Sequence, residues 1–102
     1  MARGNTNSTG VIIPKIIKLT SQTIPASSWT SGSGVTDYDY YYDITVSGAD
    51  STMTPIIVFD ISSAVSGNLA PLCESRSNSV RVFAKDNLSD AVVVESITLI
   101  GG

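Results

Sequence analysis

The sequence predicts an all-β fold, a single antiparallel β-sandwich of immunoglobulin-like or jelly-roll-like form with an extended N-terminal arm. Three observations carry that expectation. Isoleucine (11), valine (10) and threonine (10) supply 31 β-branched residues among 102; such side chains pack well on a pleated surface and lose rotamer freedom in a helix. Short stretches of alternating apolar and polar residues recur between clusters of Gly, Asn, Asp and Ser. No stretch has helical periodicity, and no internal repeat is visible.

Taken in order, residues 1–10, MARGNTNSTG, are polar and hold no core-forming side chain beyond Met1 and Ala2. They read as an arm that becomes ordered when a partner ties it down. Residues 11–19, VIIPKIIKL, are β-rich but contain Pro14, which lacks the ladder donor and places the segment at a sheet edge or before a bend. The arm is therefore taken as 1–19 and the sandwich domain as 20–102. A second extended piece is expected over 23–29, broken at Pro25, and TSGSG over 30–34 is a loop.

The clearest strand covers 38–46, YDYYYDITV. Alternation puts Tyr38, Tyr40, Tyr42, Ile44 and Val46 on one face, and Asp37, Asp39, Tyr41, Asp43 and Thr45 on the other. After a connection, PIIVFDIS (55–62) is apolar on both faces up to Asp60, the pattern of a central strand. A longer link follows, with a short strand or turn around 69–74. In residues 79–85 Val80, Val82 and Ala84 alternate against Arg81, Phe83 and Lys85. The run KDNLSD supplies turn chemistry, and residues 91–100 form the last strand before Gly101 and Gly102.

Composition excludes most catalytic readings. The chain has no histidine and one cysteine, Cys73, so it cannot assemble a Ser/His/Asp triad, a Cys/His dyad, a His metal cluster or an intrachain disulfide. Cys73 has no base nearby in type to raise its thiolate fraction and reads as a small hydrophobe. No enzyme and no cofactor are expected. A net charge of −3 with 6 Lys+Arg argues against nucleic acid, which needs clustered cations. No segment has the apolar length of a membrane span or the pattern of a secretory signal, and the unpaired cysteine suits synthesis in a reducing cytoplasm.

Charge is unevenly placed. Residues 1–18 contain Arg3, Lys15 and Lys18 and no acid, whereas 19–75 contain six acids and no Lys or Arg. A basic arm on an acidic body can reach the acidic face of a neighbouring copy or scaffold. The row Asp37, Asp39, Asp43 has the right chemistry for calcium or for acid–base work. An extended strand, however, spaces alternate residues by about 6–7 Å, so a solvated face is the reading the spacing favours. Tyr41, on that face, and Trp29 are the two aromatic candidates for stacking on a sugar.

The order TIPASSWTSGSG, YDYYYDITVSGADSTMTPIIVFDIS and NSVRVFAKDNLSDAVVVESITLIGG, covering about residues 23–102, resembles small β-sandwich modules of phages and prophages of Gram-positive bacteria. The matching marks are a Trp before an aromatic-led strand, an ITVSG turn, a Pro opening an apolar strand, and a V-x-V-F-A strand before a terminal alternating one. Such modules occur at the ends of tail-fibre and baseplate proteins or as small stand-alone structural proteins. The sequence departs from the long fibre proteins in showing no preceding shaft or coiled coil. The resemblance implies a non-enzymatic virion protein, a capsid decoration or a tail or fibre component, made in the host cytoplasm and bound to other virion proteins and to copies of itself. Its expected attachment residues are Arg3, Val11, Ile12, Ile13, Lys15, Ile16, Ile17 and Lys18, acting by strand addition and by charge. The alternative is a carbohydrate-binding module, with or without calcium, using Trp29, Tyr41, Asp37, Asp39 and Asp43.

Overall fold

The computed structural model describes residues 15–101. Their elements are β1 (Ile16–Ile24), β2 (Thr30–Ser31), β3 (Tyr40–Thr45), β4 (Thr54–Phe59), the single helical turn α1 (Ile61–Val65), β5 (Leu69–Arg76), β6 (Ser79–Ala84) and β7 (Val92–Ile100). All strand pairs are antiparallel and form two sheets, β1-β7-β4 and β2-β3-β6-β5. This is the mostly antiparallel β architecture that the β-branched composition and the alternation predict.

The two sheets bury their facing sides against each other. Ile24, Val92, Val94, Ile97 and Leu99 from the first meet Ile44, Val80, Val82 and Ala84 from the second, and Trp29, Val46, Ala49 and Met53 close the gaps from the connections. Val80, Val82, Val94 and Leu99 are fully buried; each contributes about 1.5–3 kcal/mol relative to an exposed position. The expected inward set Val80, Val82, Ala84 and Ile44, Val46 is found inside. Phe83, which alternation sends outward, is also buried, at 4% exposure, and lies across the ladder from Tyr41.

Strand β7 holds its sheet together by pairing along its whole length with β1, from Ile16↔Ile100 to Ile24↔Val92, and with β4 on its other side. Its alternation resets once. Val94 and Ile97, three apart, are both buried, because Glu95 is an extra residue opposite the Val58/Phe59 step of β4. Ser21, across from it on β1, has a left-handed φ of 56°. A bulge of this kind adds twist and re-aims the following side chains, which lets both halves of β7 face one core.

Several expectations change. Residues 55–62 are not a central strand: β4 is a sheet edge, and it reads apolar on both sides because Ile56 and Val58 stand half-exposed on the outward face. The extended piece expected over 23–29 ends at Ile24, where Pro25 interrupts the ladder, and the next strand, β2, falls within the expected loop 30–34. The boundary drawn at residue 19 falls inside β1, whose residues on either side of it pair continuously with β7. The 38–46 strand enters the ladder only at Tyr40. Asp60, expected at a strand end, caps α1 by accepting from the Ser63 N–H at 3.1 Å, the usual N-cap bond.

The strands define two poles. The chain-end pole gathers Lys15, Gly101, the 46–53 connection and the 77–78 turn: Gly101 N–H donates to Lys15 O at 2.6 Å, Lys15 Nζ to Gly48 O at 3.3 Å, and Asn78 N–H to Ala49 O at 2.9 Å. Glycine at 101 permits this close approach: a Cβ there would stand 3.0 Å from Lys15 Cβ and 3.1 Å from its carbonyl, so the Lys15 backbone would have to give way by a few tenths of an ångström. The opposite, loop pole gathers residues 25–29, 32–39, 60–68 and 85–91, joined by Ser27 N–H to Leu88 O at 2.7 Å and Lys85 N–H to Asn68 O at 2.9 Å.

Two outcomes test this packing. Leu99→Ala should cost about 2–5 kcal/mol in urea unfolding, since the site is closed on all sides. At Ser21, a change to Gly should be neutral or stabilising by up to about 1 kcal/mol, while Val should destabilise, because a β-branched side chain resists positive φ.

Candidate functional site

Strand β1 carries the described part of the expected attachment set. Its residues alternate: Ile16 is 63% exposed and Lys18 exposed, whereas Ile17 and Leu19 pack against the core. Ile16 and Lys18 are therefore outward, Lys15, just before the strand, is exposed but turns its Nζ to Gly48 O at 3.3 Å on the Ile17 side, and Ile17 belongs to the packing of the sandwich and not to a free surface. Arg3, Val11, Ile12 and Ile13 lie outside the described residues. Among the described residues β1 is an edge, paired on one side with β7, and the N–H and C=O groups of an edge's other side form a template for an added strand.

The outward face of the other sheet is built by β3 and β6. Their register sets Tyr41 opposite Phe83 and Asp43 opposite Arg81. Arg81 donates from Nε and Nη2 to the two carboxylate oxygens of Asp43 at 2.8 and 2.9 Å, and its guanidinium lies 3.9 Å from the Tyr41 ring centroid. This bidentate bond raises the Arg81 pKa further, so the side chain is a permanent cation. Beside it Arg76 pairs with Glu74 at 2.7 Å, and Lys85 lies 5.9 Å from the Tyr38 ring. The face is charged and aromatic, and both its guanidinium groups are paired with carboxylates of the same sheet.

That arrangement does not gather the sugar-binding set. Trp29 is 5% exposed, edge-on to Tyr42 at 6.1 Å between centroids, so it is a core plug and offers no stacking surface. Its backbone N–H takes Asn87 Oδ1 at 3.1 Å, while the indole Nε1 is buried without a partner. Tyr41 is covered on one side by Arg81, and Asp43 is occupied by the same residue. Asp37, at φ 69°, and Asp39, whose carbonyl accepts from Gly32 and Ser33, lie in the loop before β3, away from the ladder position of Asp43. Among the described residues no three Asp, Glu or Cys side chains come together in a way that would hold a metal ion.

Residues read in the sequence as a link and as turn chemistry come together in the fold. Ser62, Ser63, Ser66, Asn68, Ser89 and Asp90, with Leu88 and Val92, line an open recess of about 240 Å³ between α1 and the β6–β7 loop. The run of serines was the signal for it, but the two segments that form it are about 25 residues apart and are brought together by tertiary contacts, the β4-β7 pairing and the Lys85 N–H to Asn68 O bond among them. Arg81 was legible as outward, yet its partnership with Asp43 depends on a register no local pattern announces. Cys73 is half-buried, and burial pushes its thiol to about 11, which keeps it protonated and unreactive at neutral pH.

Among the described residues no helix is long and apolar enough to cross a membrane. Compared with models of protein families, with curated proteins and with solved structures, the chain matches none.

The acids at the turns carry a pH signature. Hydrogen bonds from Thr52 to Asp50, and from Ser63 and Ser62 to Asp60, hold both carboxyls below their ordinary value of 3.8. A lowered folded value contributes stability that is complete above the unfolded value and is lost as pH falls through the folded one. Thermal melts should therefore show stability flat between about pH 5 and 7 for these groups and declining below about pH 4. In Asp50→Asn/Asp60→Asn the decline below that pH should be shallower.

Proposed function

We propose that the chain is a non-enzymatic structural protein of a bacteriophage virion, a small module decorating the capsid or forming part of the tail or fibre, held by one end. One observation carries this reading: both ends of the described chain leave the sandwich at the same pole, with Gly101 bonded to Lys15 at 2.6 Å. A module so built is attached at one pole and shows its loops at the other. The loop pole is the more uniformly charged of the two. Lys15, Lys18 and Arg76 stand toward the chain-end pole together with Asp50 and Glu74, while among the described residues Asp37, Asp39, Asp60, Asp86 and Asp90 crowd the loop pole against Lys85. Like charge at the far pole discourages stacking of particles.

The sandwich type that this strand order supports is the jelly roll. There, the first strand pairs with the last and the strand that crosses next to the other sheet pairs with the penultimate one; β1-β7 and β3-β6 follow that wrapping. The N-terminal segment then acts as the anchor, with the free edge of β1 as its continuation, and the partners are other virion proteins. A second reading, carbohydrate binding, rests on the hydroxyl-lined recess at the loop pole, where a sugar-sized ligand meets several donors and acceptors above an apolar floor.

Removal of residues 1–14 tests the anchor while leaving β1 whole. The truncated protein should give the same β-type circular dichroism and melting transition as the full chain, and should fail to join particles lacking the native protein. Full occupancy of those particles by the truncated protein would sink the proposal. Saturable binding of a host cell-wall glycan by the isolated chain, lost on changing Ser63 and Asn68 to bulkier residues, would favour the second reading instead.

A further inference from the structure

The outward face of the β1-β7-β4 sheet differs in kind from that of its partner sheet. Five of the eight large apolar side chains exposed in the described chain lie on it: Ile16, Ile56, Val58, Val93 and Ile100, with exposures of 63, 49, 47, 38 and 36%. Monomers seldom leave such a set together on one face without a use for it. Along the middle strand β7 the outward residues Ser96 and Thr98 are small and uncharged, so another sheet can approach closely. Two charges border this face, Lys18 on β1 and Glu95 at the bulge of β7, and among the described residues neither makes an ion pair. Lys18 pairs in register with Thr98, so Glu95 stands three residues farther along, roughly 10 Å toward the loop pole.

We propose that this face is the docking surface for a second copy of the chain, related by a two-fold axis that lies in the interface and crosses the strands. Such an axis reverses the strand direction, so it sets Lys18 of each copy opposite Glu95 of the other, a reciprocal pairing that an isologous interface demands. The same rotation carries Ile16 and Ile100, near the chain-end pole, toward Val93 of the second copy, and places Ile56 and Val58 of the two edges over one another. Sheets packed in this way sit about 10 Å apart with their strands nearly aligned. A second copy fits better than a foreign partner because the face holds both members of the charge pair, displaced from one another along the rotation. The charges on the other sheet face, Arg81 with Asp43 and Arg76 with Glu74, are already satisfied internally. The inference is independent of the virion reading, since it requires only another copy of the chain.

Sedimentation equilibrium of the full 102-residue chain over a range of concentrations tests it. A reversible monomer–dimer equilibrium is expected. Lys18→Glu and Glu95→Lys should each weaken it by roughly tenfold, and the double charge swap should restore it to near the original strength. Ile56→Lys should abolish the dimer with its circular dichroism unchanged, the position being half-exposed in the monomer. The proposal is overturned if the chain stays monomeric throughout, if it assembles in threes or higher rings, if the swap is no better than the single changes, or if Ile56→Lys still dimerises.

Discussion

The pairing of β7 with β1 on one side and β4 on the other is the constraint from which the rest of the molecule follows. It joins the last nine-residue strand to the first across some 80 residues of chain, so the loop-closure entropy of most of the sequence is settled by this one ladder. Once it is made, Val92, Val94, Ile97 and Leu99 form one wall of the core, and the β3-β6 ladder supplies the other. The β4 edge and β5 are then drawn together by the short segment that contains α1. The bulge at Glu95 is part of the same constraint: without the reset, a strictly alternating β7 would face either Val92 and Val94 or Ile97 and Leu99 into the interior, but not all four.

The two outward faces show how differently one composition can be disposed. On the β2-β3-β6-β5 sheet the cations and carboxylates answer one another at 2.7–2.9 Å, and the Arg81 guanidinium covers an aromatic ring. Exposed pairs of this sort add little stability, but they occupy both guanidinium groups of this sheet and the carboxylates that face them, which a ligand would otherwise meet. The β1-β7-β4 sheet has the reverse character, apolar and hydroxyl-bearing with two unmatched charges. Strand addition along the free edge of β1 uses backbone atoms and association through the face of the same sheet uses side chains, with Lys18 the one residue whose charge both would draw on.

Much of the interior was legible in the sequence, because alternation in residues 79–85 and 38–46 names Val80, Val82, Ala84, Ile44 and Val46 without reference to anything distant. What could not be read were the features set by tertiary neighbours. An edge strand with an outward apolar stripe and a central strand give the same local pattern, and β4 was placed wrongly for that reason. Trp29 was ambiguous between a plug and a platform until the Tyr42 ring was found against it. Tyr41 and Asp43 were correctly placed outward, yet their shared occupant, Arg81, arrives through a pairing 38 residues away in sequence. Asp37 and Asp39 belonged to the strand by alternation alone, whereas the left-handed backbone at Asp37 turns them into loop.

The hydrogen bond from Gly101 to Lys15 also makes the domain usable as a one-sided display frame. A carrier fused at either residue occupies the chain-end pole, and because the two backbones are already in contact there, the fused chain or a short covalent loop joining the two ends need not disturb either sheet. The loop over 32–37, bounded by β2 and β3 at the far pole, is then the place where a foreign peptide would project away from the carrier, and equally the place to open a circularly permuted chain.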